Sequence, residues 1–181
     1  MEFQRLAIPD VILVKPKVFG DARGWFFESW EARKFAAGGL DVSFVQDNYS
    51  RSVQGTLRGL HYQIQQPQGK LVRVTHGEVF DVAVDIRRSS PTFGRWAGTI
   101  LSGENKHQLW VPPGFAHGFY VLSESAEFFY KCSDFYAPEY ERTLRWDDPD
   151  LQIDWPLQGT TPLLSPKDQQ GKRLADADCF P

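Results

Sequence analysis

Two cysteines in 181 residues, Cys132 and Cys179, give this chain neither a disulfide framework nor a Cys-x-x-Cys pair. Positive charge is also in short supply: 20 Lys and Arg stand against 23 Asp and Glu, a net charge of −3. A surface for nucleic-acid polymers shows a basic excess, so that partner class is excluded, although a local group of cations still suits a phosphorylated small molecule. No apolar run approaches the ~20 residues needed to span a bilayer, and no membrane partner is expected. The first residues, MEFQRLAIPDVILVKPK, lack the basic leader and long apolar stretch of a signal peptide, so the cytosol is the default location. Repeats, low-complexity tracts and inter-domain linkers are missing too. One domain, residues 1–181, is expected, large enough to bury its own core.

Aromatic residues, by contrast, are plentiful at 14%. They suit a β-rich core and, secondarily, a stacking face for a ring-shaped ligand. Ile12–Val14 and Val18–Phe19 read as short strands broken by Pro16, and GDARGWFFESW as a loop presenting Arg23 and Glu28. EARKFAA, residues 31–37, is the first credible helix, stopped by Gly38-Gly39. Val42–Val45 reads as a strand leading into a polar loop, QDNYSRS. In VFDVAVDI, Phe80, Val82, Val84 and Ile86 alternate with Asp81, Ala83 and Asp85, the two-residue period of a half-buried strand. THGE before it fits a hairpin turn from LVRVT. Further strands are expected at 96–101, 107–111, 115–122 and 127–132, separated by SSPTFG, SGEN, PPG and SES. Many short strands at this spacing indicate an antiparallel sandwich or barrel. In the proline-rich tail, 167–177 is expected as a short final helix.

The densest chemistry lies in LRGLHYQIQQPQGK, residues 57–70. Arg58 and Lys70 are cations, and His61 has the one side chain whose ordinary pKa (~6.5) suits a general base at neutral pH. Downstream, WVPPGFAHGF contains Pro112-x-Gly114-x-x-His117, which resembles the second half of the cupin signature. The first half of a metal-binding cupin supplies a His-x-His pair, whereas this chain has His61-Tyr62-Gln63. His61 and His117 fall short of the three protein ligands usual in a catalytic zinc site, so no metal is expected. His76 and His107, without acid or cysteine neighbours at ligand spacing, read as surface residues.

Taken in order, IPDVILVKPKVFGDARGWFFES, FVQDNYSRS, LRGLHYQ, QGKLVRVTHGEVFDVAVDIR, SPTFG, LWVPPGFAHGF, EFFYKCSDFYAPEYE and LSPKD resemble the dTDP-4-dehydrorhamnose 3,5-epimerases over about nine-tenths of the chain. The resemblance implies a mainly β fold, a cupin-type double-stranded β-helix or jelly-roll barrel with a few short helices. It implies a cofactor-free isomerase acting on a dTDP-4-keto-6-deoxyhexose, whose C4 ketone acidifies the protons at C3 and C5. His61 matches the base, Asp168 the carboxylate on its far nitrogen, Lys70 the cation beside the C4 oxygen, and Tyr130 the proton donor on the opposite face. Arg23 and Arg58 match diphosphate contacts. Glu28, Gln46, Asp47, Asn48, Glu141, His117 and Lys167 match polar contacts to sugar, phosphate or nucleotide. Tyr136 matches the ring that stacks on thymine, and Phe19 and Phe26 line the same cleft. The family is homodimeric with exchanged N-terminal strands. Trp25, Trp30 and Cys132 depart from its usual residues without touching the chemical groups.

Taken by themselves, several of these residues have plainer readings: Asp168 as a surface carboxylate in a tail, Lys70 as a solvated lysine, Tyr130 as a core aromatic. Arg58 and His61 also differ by an odd number of positions, so an unbroken strand points them to opposite faces. Either Gly59 makes a bulge that re-aims one of them, or Arg58 serves a neighbouring subunit's site. Alternative functions are a single-position epimerase of an unusual-sugar pathway, a metal-dependent cupin enzyme, and a sugar-nucleotide-binding module without turnover.

Overall fold

In the computed structural model, which describes residues 1–181, the chain opens with β1 (Glu2–Arg5), β2 (Ile12–Lys15), β3 (Val18–Asp21), β4 (Gly24–Phe27) and helix α1 (Ala32–Ala37). There follow β5 (Gln46–Val53), β6 (Leu57–Gln63), β7 (Lys70–His76), β8 (Glu78–Asp85), β9 (Trp96–Ser102), β10 (Gln108–Val111), β11 (Phe115–Val121), β12 (Ser125–Cys132), β13 (Glu141–Thr143) and helix α2 (Pro166–Gln169). Two antiparallel sheets result, one of six strands in the order β1-β2-β10-β7-β12-β5 and one of five in the order β13-β6-β11-β8-β9. Strands β3 and β4 form a separate two-stranded ribbon that pairs with neither sheet.

Alternation along the strands divides the apolar residues into three clusters. Val72, Val74, Val79, Ala83, Phe115, Phe119 and Phe128 fill the space between the sheets, with the rings of Phe119 and Phe128 stacked at 4.2 Å. Burying each such side chain contributes roughly 1.5–3 kcal/mol, so this cluster holds the two sheets together. On the outside of the five-stranded sheet, Leu57, Leu60, Val82, Val84, Ile86 and Tyr120 pack under Leu144, Leu151, Trp155 and Leu174 of the C-terminal segment. On the outside of the six-stranded sheet, Ile12, Val14, Leu71 and Trp110 pack under Phe35 of α1 and Leu40. Glu31 caps α1 by accepting a 2.8 Å hydrogen bond from the Lys34 amide, and the helix stops at Gly38.

Five local expectations change. GDARGWFFESW, expected as a loop, is largely strand: β4 folds back on β3 through a tight turn at Ala22-Arg23. Residues 42–45 are not a strand, whereas the polar QDNYSRS is β5, because its alternate residues face a polar cavity and solvent rather than core. Strand β8 is buried on both faces: Val82, Val84 and Ile86 lie under the C-terminal segment, while the side expected to be open, that of Asp81, Ala83 and Asp85, turns toward the space between the sheets; Asp81 and Asp85 are fully buried. THGE makes no hairpin: β7 and β8 lie in different sheets, and Gly77, with φ of +76°, turns the corner between them. The expected final helix is only α2, followed by a 3-10 turn at Leu174–Asp176. His76 is exposed as expected, whereas His107 is half-buried.

Candidate active site

Beyond the inter-sheet core the two sheets diverge around a cavity of about 400 Å³, lined by His61, Arg58, Gln63 and His117 from one sheet and Asn48, Ser50, Lys70, Phe128 and Tyr130 from the other. Its polar lining follows from the strands themselves. Gln46, Asn48 and Ser50 are the inward alternates of β5, and Phe128 and Tyr130 those of β12.

Strand β6 carries the odd spacing noted above, and a bulge resolves it. His61 pairs with His117 and Arg58 with Phe119, so Gly59 and Leu60 together oppose the single residue Gly118. Gly59 has φ of +127°, and a Cβ there would lie 2.5 Å from Gly118 Cα and 2.7 Å from His117 O. Only glycine fits that approach. The extra residue lets Arg58 and His61 line one cavity. Arg58 is held by a 2.9 Å hydrogen bond from its Nε to Ser52 Oγ.

Behind His61, Asp168 accepts a 2.5 Å hydrogen bond from its Nε2. Asp168 sits in the first turn of α2, whose cap is Ser165: the Asp168 amide donates to Ser165 Oγ at 3.2 Å, and that hydroxyl donates to Asp168 Oδ2 at 2.7 Å. The carboxylate is therefore oriented at both oxygens. Burial pushes its pKa up, but the bonds from His61 and Ser165 outweigh this and hold it below the ordinary carboxylate value. An ionised Asp168 fixes the proton on Nε2 and leaves Nδ1 as the basic nitrogen. Burial lowers the His61 pKa, opposed by Asp168 and reinforced by Lys167 and Lys70. The ring is consequently neutral and able to accept a proton at pH 7.

On the facing sheet, burial raises the Tyr130 phenol to about 12, so it retains its proton through the physiological range. Lys70 begins β7, its amine held below the ordinary lysine value by burial, against the pull of Cys132, Glu141 and Asp81. Cys132 is its cross-strand neighbour, buried, and receives a 3.5 Å bond from Asn48 Nδ2.

At the mouth, Glu141 accepts from Tyr136 Oη at 3.0 Å and from Lys167 Nζ at 2.6 Å. Gln46 joins this rim, its Oε1 accepting from the Tyr136 amide at 2.9 Å and its Nε2 donating to Asn48 at 3.1 Å. His117 is bound through Nε2 to both oxygens of buried Asp81, at 2.9 and 3.1 Å. No three His, Cys, Asp or Glu side chains gather at metal-binding geometry.

Ten of the sixteen expected site residues line the cavity, and Asp168 stands directly behind it. Five do not reach it within this chain. Asp47 is an outward alternate of β5 paired with Lys131 at 2.9 Å. Arg23 pairs with Asp21 at 2.6 Å on the ribbon's tip, and Glu28 pairs with Lys34 at 2.7 Å. Phe19 and Phe26 are 54% and 70% exposed on that ribbon, which has no strand of its own chain to join. Sequence reading missed Ser50, Gln63, Gln68 and Phe119 in the lining, Asp81 beneath His117, and Ser165 behind Asp168. A single signal was available for Asp81, an aspartate repeating inside an otherwise apolar strand.

A sequence model of the family described as dTDP-4-dehydrorhamnose 3,5-epimerase matches residues 5–176. The chain is 69% identical to the Pseudomonas aeruginosa dTDP-4-dehydrorhamnose 3,5-epimerase, over all of both chains. The chain belongs to this family. Its activity is that of an isomerase, dTDP-4-dehydrorhamnose 3,5-epimerase, within nucleotide-sugar metabolism. Among solved structures it resembles the Legionella pneumophila dTDP-6-deoxy-D-glucose-3,5-epimerase in complex with dTDP-4-keto-L-rhamnose, at TM-score 0.94 and 57% identity over 98% of this chain and 94% of that one. ChmJ, a 3′-monoepimerase from Streptomyces bikiniensis in complex with dTDP-quinovose, is similar at TM-score 0.88 and 36% identity, over 94% of this chain and 86% of that one. The cupin-type epimerase fold thus extends to an enzyme of different positional outcome. No helix in the chain is long and apolar enough to cross a membrane.

Proposed function

We propose that the chain converts dTDP-4-dehydro-6-deoxy-D-glucose to dTDP-4-dehydro-L-rhamnose by proton transfer between two opposed walls of one cavity. His61 Nδ1 removes the proton from C5 or C3, both acidified by the C4 ketone. The electrons move into C4=O to give an enolate, and the Lys70 ammonium stabilises the developing oxyanion, a donor worth ~2.7–4 kcal/mol in comparable sites. Tyr130 returns a proton to the opposite face of the carbon. Asp168 holds the His61 tautomer and stabilises the imidazolium while it exists. Solvent exchange then resets the base and the acid before the second centre reacts.

One observation carries this reading: His61 and Tyr130 belong to different, facing sheets and line the same cavity. Stacked sheets lie ~10 Å apart, which leaves room for a sugar ring between a base and an acid. Arg58 and Lys167 supply the cations for the diphosphate, and Tyr136 the exposed ring for the base. The phosphate and nucleotide contacts expected of Arg23, Glu28, Phe19 and Phe26 come, in this reading, from the ribbon of a second subunit in a homodimer. The exposed aromatic ribbon supports that assignment.

Solvent deuterium tests the reaction. Label at both C3 and C5 of the product, lost at both in His61→Asn with dTDP binding retained, is the expected outcome. Label at one carbon alone assigns the chain to the single-position class, which shares the fold. Exchange persisting in His61→Asn removes His61 as the base.

A further inference from the structure

Among the cavity's cations, Lys167 is paired with Glu141 and Arg58 with Ser52, whereas Lys70 Nζ makes neither a hydrogen bond nor an ion pair with the protein. Its aliphatic stem leaves β7 beside buried Cys132 and Val72, and its amine ends in the cavity between the two sheets. Lysine placed in such surroundings is the residue type that forms imines, because an amine without a counter-ion surrenders its proton more readily than a solvated one. The surroundings supply the remaining requirements for condensation with a carbonyl. Arg58 and Lys167 draw an anionic group into the cavity, and Tyr130 and His61 offer a proton donor and acceptor within the same walls.

We propose that Lys70 is a covalent capture site for small anionic aldehydes, of which pyridoxal 5′-phosphate is the representative. The Nζ lone pair attacks the aldehyde carbon, forming the N–C bond and a carbinolamine. The carbonyl oxygen then leaves as water, taking the two protons that the amine nitrogen gives up, and a C=N bond remains. No oxidant or reductant takes part. The unprotonated fraction of Lys70 enters this reaction, while the protonated fraction serves the enolate. The burial that lowers the lysine's proton affinity therefore exposes the site to inhibition by metabolites of this class. The inference rests on the proposed function in placing the nucleotide sugar in the same cavity and in giving the protonated Lys70 its part at the enolate; the capture itself needs neither.

The test is incubation of the full-length protein with pyridoxal 5′-phosphate, trapping with borohydride, and mapping of the modified lysine by peptide mass spectrometry. Expected is a single label per chain, on Lys70, accompanied by loss of epimerase activity and prevented by prior saturation with dTDP. Lys70→Arg, which keeps the cation but cannot form an imine, loses the label, and its circular dichroism reports whether the fold is kept. Labelling of Lys106, Lys131 or Lys172 with Lys70 unmodified in the wild-type protein overturns the proposal whatever the variant does. Labelling of Lys70 that dTDP fails to prevent overturns the shared cavity instead, and with it the binding end of the proposed function.

Discussion

His61 and Asp168 stand 107 residues apart in sequence and 2.5 Å apart in space. The aspartate belongs to a four-residue helix whose cap, Ser165, bonds the carboxylate as well as the backbone. Asp168→Asn removes the negative charge that fixes the Nε2 proton and offsets the imidazolium. Its kcat is expected to fall by about 10²–10⁴-fold, the range associated with a positioned acid–base pair. NMR measurement of deuterium entry at C3 and C5 checks this, with dTDP titration calorimetry showing that the binding end is intact.

The titrating groups predict the shape of the pH profile. Activity requires His61 unprotonated, and its pKa is lowered, so the acid limb of kcat/KM should fall below the ordinary histidine value near 6.5. Activity also requires Lys70 protonated, and burial lowers it, so activity should decline in alkali before an ordinary lysine would titrate. Tyr130, at about 12, stays protonated across that decline. Lys70→Arg should therefore move the alkaline limb upward while Tyr130→Phe leaves it in place. A limb that follows Tyr130 instead would reassign it to the phenol.

The gathering of His61, Lys70, Tyr130 and Asp168 at one cavity was legible from sequence, because each lies in a contiguous motif; their roles are what the resemblance implies. Strand β5 was not, because QDNYSRS has no apolar alternate; its inward residues meet a polar cavity, so its two-residue period is polar on both faces. Asp81 was taken for an exposed face because what covers it, His117 and the facing sheet, comes from distant parts of the chain. Asp47 was credited through its neighbours Gln46 and Asn48, yet strand alternation sends it outward to Lys131. Each miss has the same physical origin: the second face of a strand is decided by whatever packs on it, and that partner lies far along the chain.

Asp85 shows that the buried carboxylates are not all catalytic. It accepts from Arg87, Ser90 and Thr92 and holds the turn between β8 and β9. Burial alone would raise its pKa, but these bonds bring it to about 2. A depressed folded pKa contributes stability that is complete above the unfolded value near 3.8 and is lost as pH falls through about 2. Asp85→Asn should thus lower the unfolding free energy at pH 7 by on the order of 2 kcal/mol and flatten its acid dependence between those values. Urea titrations at several pH values measure both, and positional deuterium exchange should be unaffected.

The bulge at Gly59 ties the backbone to the chemistry. A Cβ there meets Gly118 Cα at 2.5 Å and His117 O at 2.7 Å, both fixed backbone atoms of β11. Gly59→Ala should destabilise the fold by roughly 1–3 kcal/mol, the usual cost of a strained backbone position, and should displace His61 from Asp168. The proton NMR signal of the His61–Asp168 hydrogen bond reads the second effect separately from the first. A Gly59→Ala protein that keeps both its stability and that signal would show that the bulge tolerates a side chain.

Arg23 lies on an exposed ribbon, outside its own chain's cavity and paired only with Asp21. If the ribbon completes the cavity of a second subunit, Arg23 and His61 of one working site come from different chains. Arg23→Ala and His61→Asn should then each be nearly inactive alone, yet recover activity when unfolded and refolded together. A mixed dimer has one site carrying both intact residues and one carrying both defects. Equal mixing makes half of the dimers mixed, each with one of two sites restored, so about a quarter of wild-type activity should return. Residues acting within one chain predict no recovery at all, because every site would then hold one of the two lesions. The refolded mixture therefore decides between an exchanged ribbon and a self-contained subunit without a dimer structure.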